Sequence, residues 1–170
     1  ATAYGAVGAF GTGMGSRDLA LTLATGRTWL RVPETIRVQA HGAFRPLVGA
    51  KDLSLHLCGL LGLDGATYRA IEFHGLDSLS LDSRITLCGM TTEVGAKAGM
   101  MLPSGPVRQA FGCPAWLGPT DGAAYLRTID VDLGSLPSLV SVPPEVDHVR
   151  PASELSDVRV DLVFIGTCTN

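Results

Sequence analysis

Apolar and polar positions along this chain switch between a helical and a strand period, and the switches mark its elements. Thr35-Ile36-Arg37-Val38-Gln39-Ala40 alternates strictly, so a half-buried strand is expected there, closed by Gly42. From Ala50 to Leu61 the apolar set Leu53, Leu57, Leu60 and Leu61 has helical spacing, with Gly62 as a C-cap. Tyr68 to His74 is again strand-like, and a helix starting at Asp82 or Ser83 carries Ile85, Leu87, Cys88 and Met90. Met100-Met101-Leu102 before Pro103 reads as a short strand. Upstream, Ser16 can cap a helix through Leu19 to Ala24 that stops at Gly26.

Strand, helix, strand, helix, strand over about 35 to 105 predicts an α/β fold, a three-layer α/β/α arrangement with a mainly parallel sheet. Pro114, Gly118, Pro119 and Gly122 make residues 113–123 a loop or linker. Beyond it Thr128 to Leu133 alternates cleanly, and Ser141-Val142-Pro143-Pro144 is a stop. Val158-Arg159-Val160-Asp161-Leu162-Val163-Phe164-Ile165 reads as a buried strand ended by Gly166. That would place Cys168 at a strand's carboxyl end, where open α/β sheets bind ligands.

Composition narrows the function classes. Of 170 residues, 46% are hydrophobic and 17% charged, a small solvated surface that suggests faces meant for other protein. A net charge of −3 argues against nucleic acid, and no apolar run approaches a membrane span. The opening Ala1-Thr2-Ala3-Tyr4 has neither the basic nor the apolar region of a secretory signal. The cysteines at 58, 88, 113 and 168 form no Cys-x-x-Cys pair, which fits a reduced, cytoplasmic setting. Cys58 and Cys88, on apolar helical stretches, are expected to be buried small hydrophobes.

Glu72 and His74, two apart on a strand, must share one face, opposite Ile71 and Phe73. A carboxylate on the inner face of an apolar strand is costly unless paired, so Glu72 is either paired or an ordinary solvated strand residue, and His74 suits a structural role at the strand end. Gly11-Thr12-Gly13-Met14-Gly15-Ser16 superficially matches a phosphate loop. The dinucleotide fingerprint would need glycine where Ser16 stands and a strand just before, and a Walker loop would need Gly-Lys. Glycines that let a helix start pack against neighbouring backbone are the simpler expectation. There is no Gly-x-Ser-x-Gly elbow, and Cys113 lies in a loop without an identifiable base.

Ile165-Gly166-Thr167-Cys168-Thr169-Asn170 resembles the first cluster-cysteine motif of the aconitase superfamily, in the branch of 3-isopropylmalate dehydratase and homoaconitase large subunits. Gly5 to Asp18 is similar to the glycine-rich segment that follows that family's Asp-Ser-His triplet. Thr28 to Ile36, Ala50 to Leu53, Asp64 to Tyr68, Ala70 to Gly75 and Glu93 to Gly99 agree as well, in the same order. The resemblance implies three α/β/α domains in the parent, with 1–33 the tail of the first, 34–115 the second, and 116–170 a linker and the start of the third. The chain would then be an internal piece of a longer polypeptide.

The same resemblance implies an iron-sulfur hydro-lyase, isomerising a hydroxy-di- or tricarboxylic acid of leucine or lysine biosynthesis by dehydration and rehydration. Cys168 matches the first of three ligands of a 4Fe-4S cluster, and Asn170 an asparagine shaping the cluster pocket. Glu72 matches a glutamate that pairs with the triplet's histidine in the acid-base network. A separate small subunit is implied, supplying substrate-recognising residues and a catalytic serine. The triplet and the Gly-Cys-x-x-Cys element carrying the other two ligands are absent from these residues. One thiolate cannot hold a cubane, so the chain alone is expected to be inert. The competing expectations are a non-catalytic scaffold or interaction module and, from the glycine-rich segment, a nucleotide-binding module.

Overall fold

Residues 1–166 are described by a computed structural model, in which four parallel strands form the central sheet. They are β1 (Thr35–His41), β2 (Ala70–His74), β3 (Ala98–Met101) and β4 (Arg127–Asp132), in the spatial order β3-β2-β1-β4. The chain steps outward from β1 to β3, then returns to the other side of β1, so the direction of winding reverses between β1 and β4. Helices α2 (Ala50–Leu61) and α3 (Leu81–Met90) carry the outward crossovers, and α4 (Gly105–Phe111) lies in the returning connection. This is the expected α/β architecture with a parallel sheet. Because β4 lies beyond residue 115, the sheet also draws on the segment that the resemblance assigned to a linker and third domain.

Register explains why one sheet face is sealed and the other is not. Ile36 lies beside Ile71, and Val38 beside Phe73 on one side and Ile129 on the other. These side chains share one face with Ala40, Met101 and Val131, and all are buried in one core with Leu53, Leu57 and Cys58 of α2 and Leu87 and Cys88 of α3. The intervening positions put Arg37, Glu72 and Thr128 in one row and Gln39, His74 and Asp130 in the next. Parallel sheets are ordinarily apolar on both faces. This one presents a polar ladder.

Local chemistry sets the helix ends. Asp52 reaches back to the Gly49 N–H at 2.8 Å, while its other oxygen accepts from the Leu139 N–H at 2.8 Å. One carboxylate thus caps α2 and pins the short antiparallel pair β5 (Leu139–Ser141) and β6 (Val149–Pro151) against it. Gly62, at φ 71°, ends α2 as its position suggested. Helix α3 starts at Leu81, one residue before the expected start, because Ser80 caps it by accepting from the Ser83 N–H. Gly15, not Ser16, precedes α1 (Ser16–Thr25) as its N-cap, and no side chain caps that helix. None of the residues of α1 is buried.

A buried arginine secures the amino-terminal segment. Arg84 of α3 is 0% exposed; its Nε donates to the Ala6 carbonyl at 3.0 Å and its Nη2 to the Leu102 carbonyl. Burial pulls the guanidinium below its usual pKa range, opposed by Cys88 and Asp77. The 3-10 turn Thr2–Val7 also approaches β3 so closely that a Cβ on Gly5 would fall 1.6 Å from the Gly99 carbonyl oxygen. Gly11 meets the Ala1 carbonyl similarly, at 2.2 Å, whereas Gly13 faces open space, so the expected close backbone packing holds for only part of the glycine-rich segment.

The strand expected over 158–165 does not form. Residues 158–166 pair with no strand, and Val158, Val160, Leu162, Val163, Phe164 and Ile165 are 61–92% exposed. An apolar run becomes a strand only where a sheet edge accepts its backbone groups, and no such edge meets it among the described residues. The expected strand at 100–102 is shifted to Ala98–Met101, and strand β2 begins at Ala70 because Tyr68 takes a positive φ of 55°. No helix among the described residues is long and apolar enough to cross a membrane.

Candidate functional site

The polar ladder concentrates its chemistry near the carboxyl end of β2. His74 Nε2 lies 2.7 Å from Glu72 Oε1, each side chain 18% exposed. The alternation that placed Glu72 and His74 on one face, away from Ile71 and Phe73, is therefore realised. The Tyr125 hydroxyl donates to the same Oε1 at 3.0 Å and stands 3.4 Å from His74 Nε2. Its ring meets the imidazole edge-on, with centroids 6.0 Å apart. Oε1 thus accepts twice, whereas Glu72 Oε2 accepts no hydrogen bond among the described residues.

Arg37, beside Glu72 in the register, completes the cluster. Its guanidinium stacks over the Tyr125 ring at 5.0 Å, and among the described residues it forms no ion pair and its buried Nε has no hydrogen-bond partner. The Tyr125 phenol is raised above its ordinary pKa, first by burial, then by its hydrogen bond to Glu72 and by the Glu72 charge, with Arg37 opposing. Tyr125 is held as a neutral donor. It enters from the returning connection, which the Leu126 N–H anchors to the Thr35 carbonyl at 2.8 Å.

No donor set for a metal converges among the described residues. Cys58 and Cys88 are buried in the helices, as expected, and burial is the first cause that pushes their thiols up to about 11 and about 12. A ligand must be the thiolate, so neither is a good one. Native alkylation at about pH 8 should leave both unmodified until the protein is unfolded, as read by mass spectrometry. Labelling of either at the rate of a free thiol would contradict their burial. Cys113 is half-buried in its loop, with Sγ 3.6 Å from the Val7 carbonyl. Cys168 and Asn170 lie outside the described residues.

Tyr125, Arg37 and Arg84 carry functions of structure or site that the sequence analysis did not single out. Arg37 was signalled: Thr35, Arg37 and Gln39 are the polar half of the β1 alternation, hence a polar face. Tyr125 comes from an irregular loop, and nothing local indicates that it reaches β2.

A parallel sheet with a switch in winding, a glycine-tight amino-terminal turn and a carboxylate-imidazole pair at a strand end define an α/β domain with a polar site on its open face. The model of the aconitase family (aconitate hydratase) matches residues 1–111, and the chain belongs to that family. Among curated relatives it is similar to 3-isopropylmalate dehydratase large subunit 1 of Deinococcus radiodurans, 49% identical over 99% of this chain and 39% of that protein. It is as similar to the homoaconitase large subunit of Thermus thermophilus, 49% identical over 99% of this chain and 41% of the relative. The 3-isopropylmalate dehydratase large subunit of Herpetosiphon aurantiacus is 49% identical over 99% of this chain and 40% of its own length. The chain therefore spans about two fifths of these relatives.

Proposed function

We propose that this chain is part of the large subunit of a cytoplasmic iron-sulfur hydro-lyase of the 3-isopropylmalate dehydratase or homoaconitase type. The intact enzyme isomerises a branched hydroxy-di- or tricarboxylic acid by removing water and adding it back. Its partner is a small subunit, as the designation of the relatives as large subunits suggests. The observation that carries this reading is the half-buried Glu72–His74 pair on an otherwise polar sheet face, in a chain that aligns over 99% of its length with those subunits.

Hydroxide leaves carbon poorly, so dehydration requires a proton for the departing oxygen and a base for the neighbouring carbon. In this reading Glu72 belongs to the network that supplies the first and recovers it on rehydration. His74 and Tyr125 hold one carboxylate oxygen, leaving Oε2 for the triplet's histidine, which the resemblance pairs with Glu72. The base for carbon is the serine that the resemblance assigns to the small subunit.

A 4Fe-4S cluster bound to the intact enzyme would supply a Lewis acid for the hydroxyl. Cys168 is the proposed first ligand and Asn170 a residue of its pocket. The buried, high-pKa thiols of Cys58 and Cys88 and the loop thiol of Cys113 do not fit as substitutes. The 170-residue chain alone should therefore hold no cluster and show no turnover.

Two measurements test this reading. The full-length subunit, joined to its small subunit and loaded anaerobically with iron and sulfide, should produce the unsaturated acid from a hydroxy-di- or tricarboxylate; failure with isopropylmalate, homocitrate and citrate alike would refute the activity. The 170-residue chain treated identically should remain colourless. A stable visible cluster band on it, lost in Cys168→Ser, would refute its inertness.

A further inference from the structure

We propose that Tyr125 is a positioning residue for this reaction: its hydroxyl, with the His74 imidazole, occupies Glu72 Oε1 and so fixes Oε2 as the atom turned to the rest of the acid-base network. The inference rests on the hydro-lyase reading for its consequence in turnover, but on geometry for the contact. A glutamate side chain ending on a strand has three rotatable bonds, and a single hydrogen bond leaves its carboxylate free to swing about that contact. Here two donors meet one oxygen, at 2.7 Å and 3.0 Å, from different parts of the chain.

The tyrosine is itself held on several sides. Arg37 covers one face of its ring, His74 stands against it edge-on, and the Leu126–Thr35 backbone bond fixes the next residue to the sheet. Both aromatic contacts survive if only the hydroxyl is removed. Tyr125→Phe therefore isolates the hydrogen bond from the packing. The charged and titratable groups sharing this sheet face are Arg37 and His41 of β1, Glu72 and His74 of β2, and Asp130 and Asp132 of β4.

The experiment uses the full-length large subunit with its partner and cluster. Tyr125→Phe should lower kcat roughly tenfold to a hundredfold, the range for losing a hydrogen bond to a charged group, with KM and thermal midpoint nearly unchanged. Tyr125→Leu, which also loses the ring, should lower the midpoint but show the same kcat per folded molecule. A kcat within twofold of the parent in Tyr125→Phe would overturn the proposal. A loss matched by loss of folded protein would overturn it too.

A second readout needs no turnover. In the same protein carrying ring-labelled tyrosine, the Tyr125 phenol should titrate above the ordinary range, and Glu72→Gln should bring it part of the way back, leaving the share due to burial. An inert parent whose Tyr125 responds in this way would refute the reaction while upholding the contact. An active parent whose Tyr125 ignores Glu72→Gln would refute the contact.

Discussion

Glu72→Gln in the intact enzyme should lower kcat by about 10²–10⁴-fold, the range for losing a general acid-base group, with KM within roughly threefold. The amide keeps the length and hydrogen-bonding shape of the carboxylate, and its oxygen can still accept from the Tyr125 hydroxyl. What it loses is the capacity to carry a proton at Oε2. Because α2 and α3 pack on the opposite face of the sheet, the core is untouched, and the thermal midpoint should stay close to that of the parent. Steady-state kinetics beside a melting curve reads both. A variant retaining more than a tenth of the parental kcat would remove Glu72 from the acid-base network.

Arg84→Ala should be the most damaging single change to the fold, costing about 3–5 kcal/mol. Removing a large buried side chain opens a cavity, and the carbonyls of Ala6 and Leu102 lose a charged donor. The release of a guanidinium from its buried position offsets part of this. Arg84→Lys should fall between, since one ammonium on a flexible stem does not reproduce the two-armed fork that reaches two carbonyls. Urea denaturation of the full-length protein decides the matter: equal midpoints for Arg84→Ala and the parent would show that the tie between α3, the amino-terminal turn and the end of β3 is not stabilising.

Glu72 and Arg84 illustrate what could and could not be read from residue order. Alternation on β1 and β2 is a local property, and it placed Glu72 and His74 together on a face correctly. The caps at Gly26 and Gly62 were equally local, since both follow the last apolar position of a helix and both adopt positive φ. Arg84 lies amid ordinary helix residues, and only the distant carbonyls of Ala6 and Leu102 explain its burial. Tyr125 likewise acts across 53 residues of sequence on Glu72. The run at 158–165 has strand composition but no neighbour among the described residues to complete it, because pairing depends on another segment's edge. The helix α4 and the pair β5–β6 went unassigned because each is short and lacks a sustained period. Cys168 and Asn170 lie outside the described residues, and their proposed roles rest on the resemblance.

The strict alternation along β1 and β2 also bears on how such a domain can change. Neighbouring residues in these strands answer to different demands, one to burial against α2 and α3 and the next to the polar face that carries Glu72 and His74. Substitutions at Arg37 or Gln39 can therefore change the polar face while Ile36 and Val38 hold the scaffold constant. Latitude and constraint are interleaved along the same few residues.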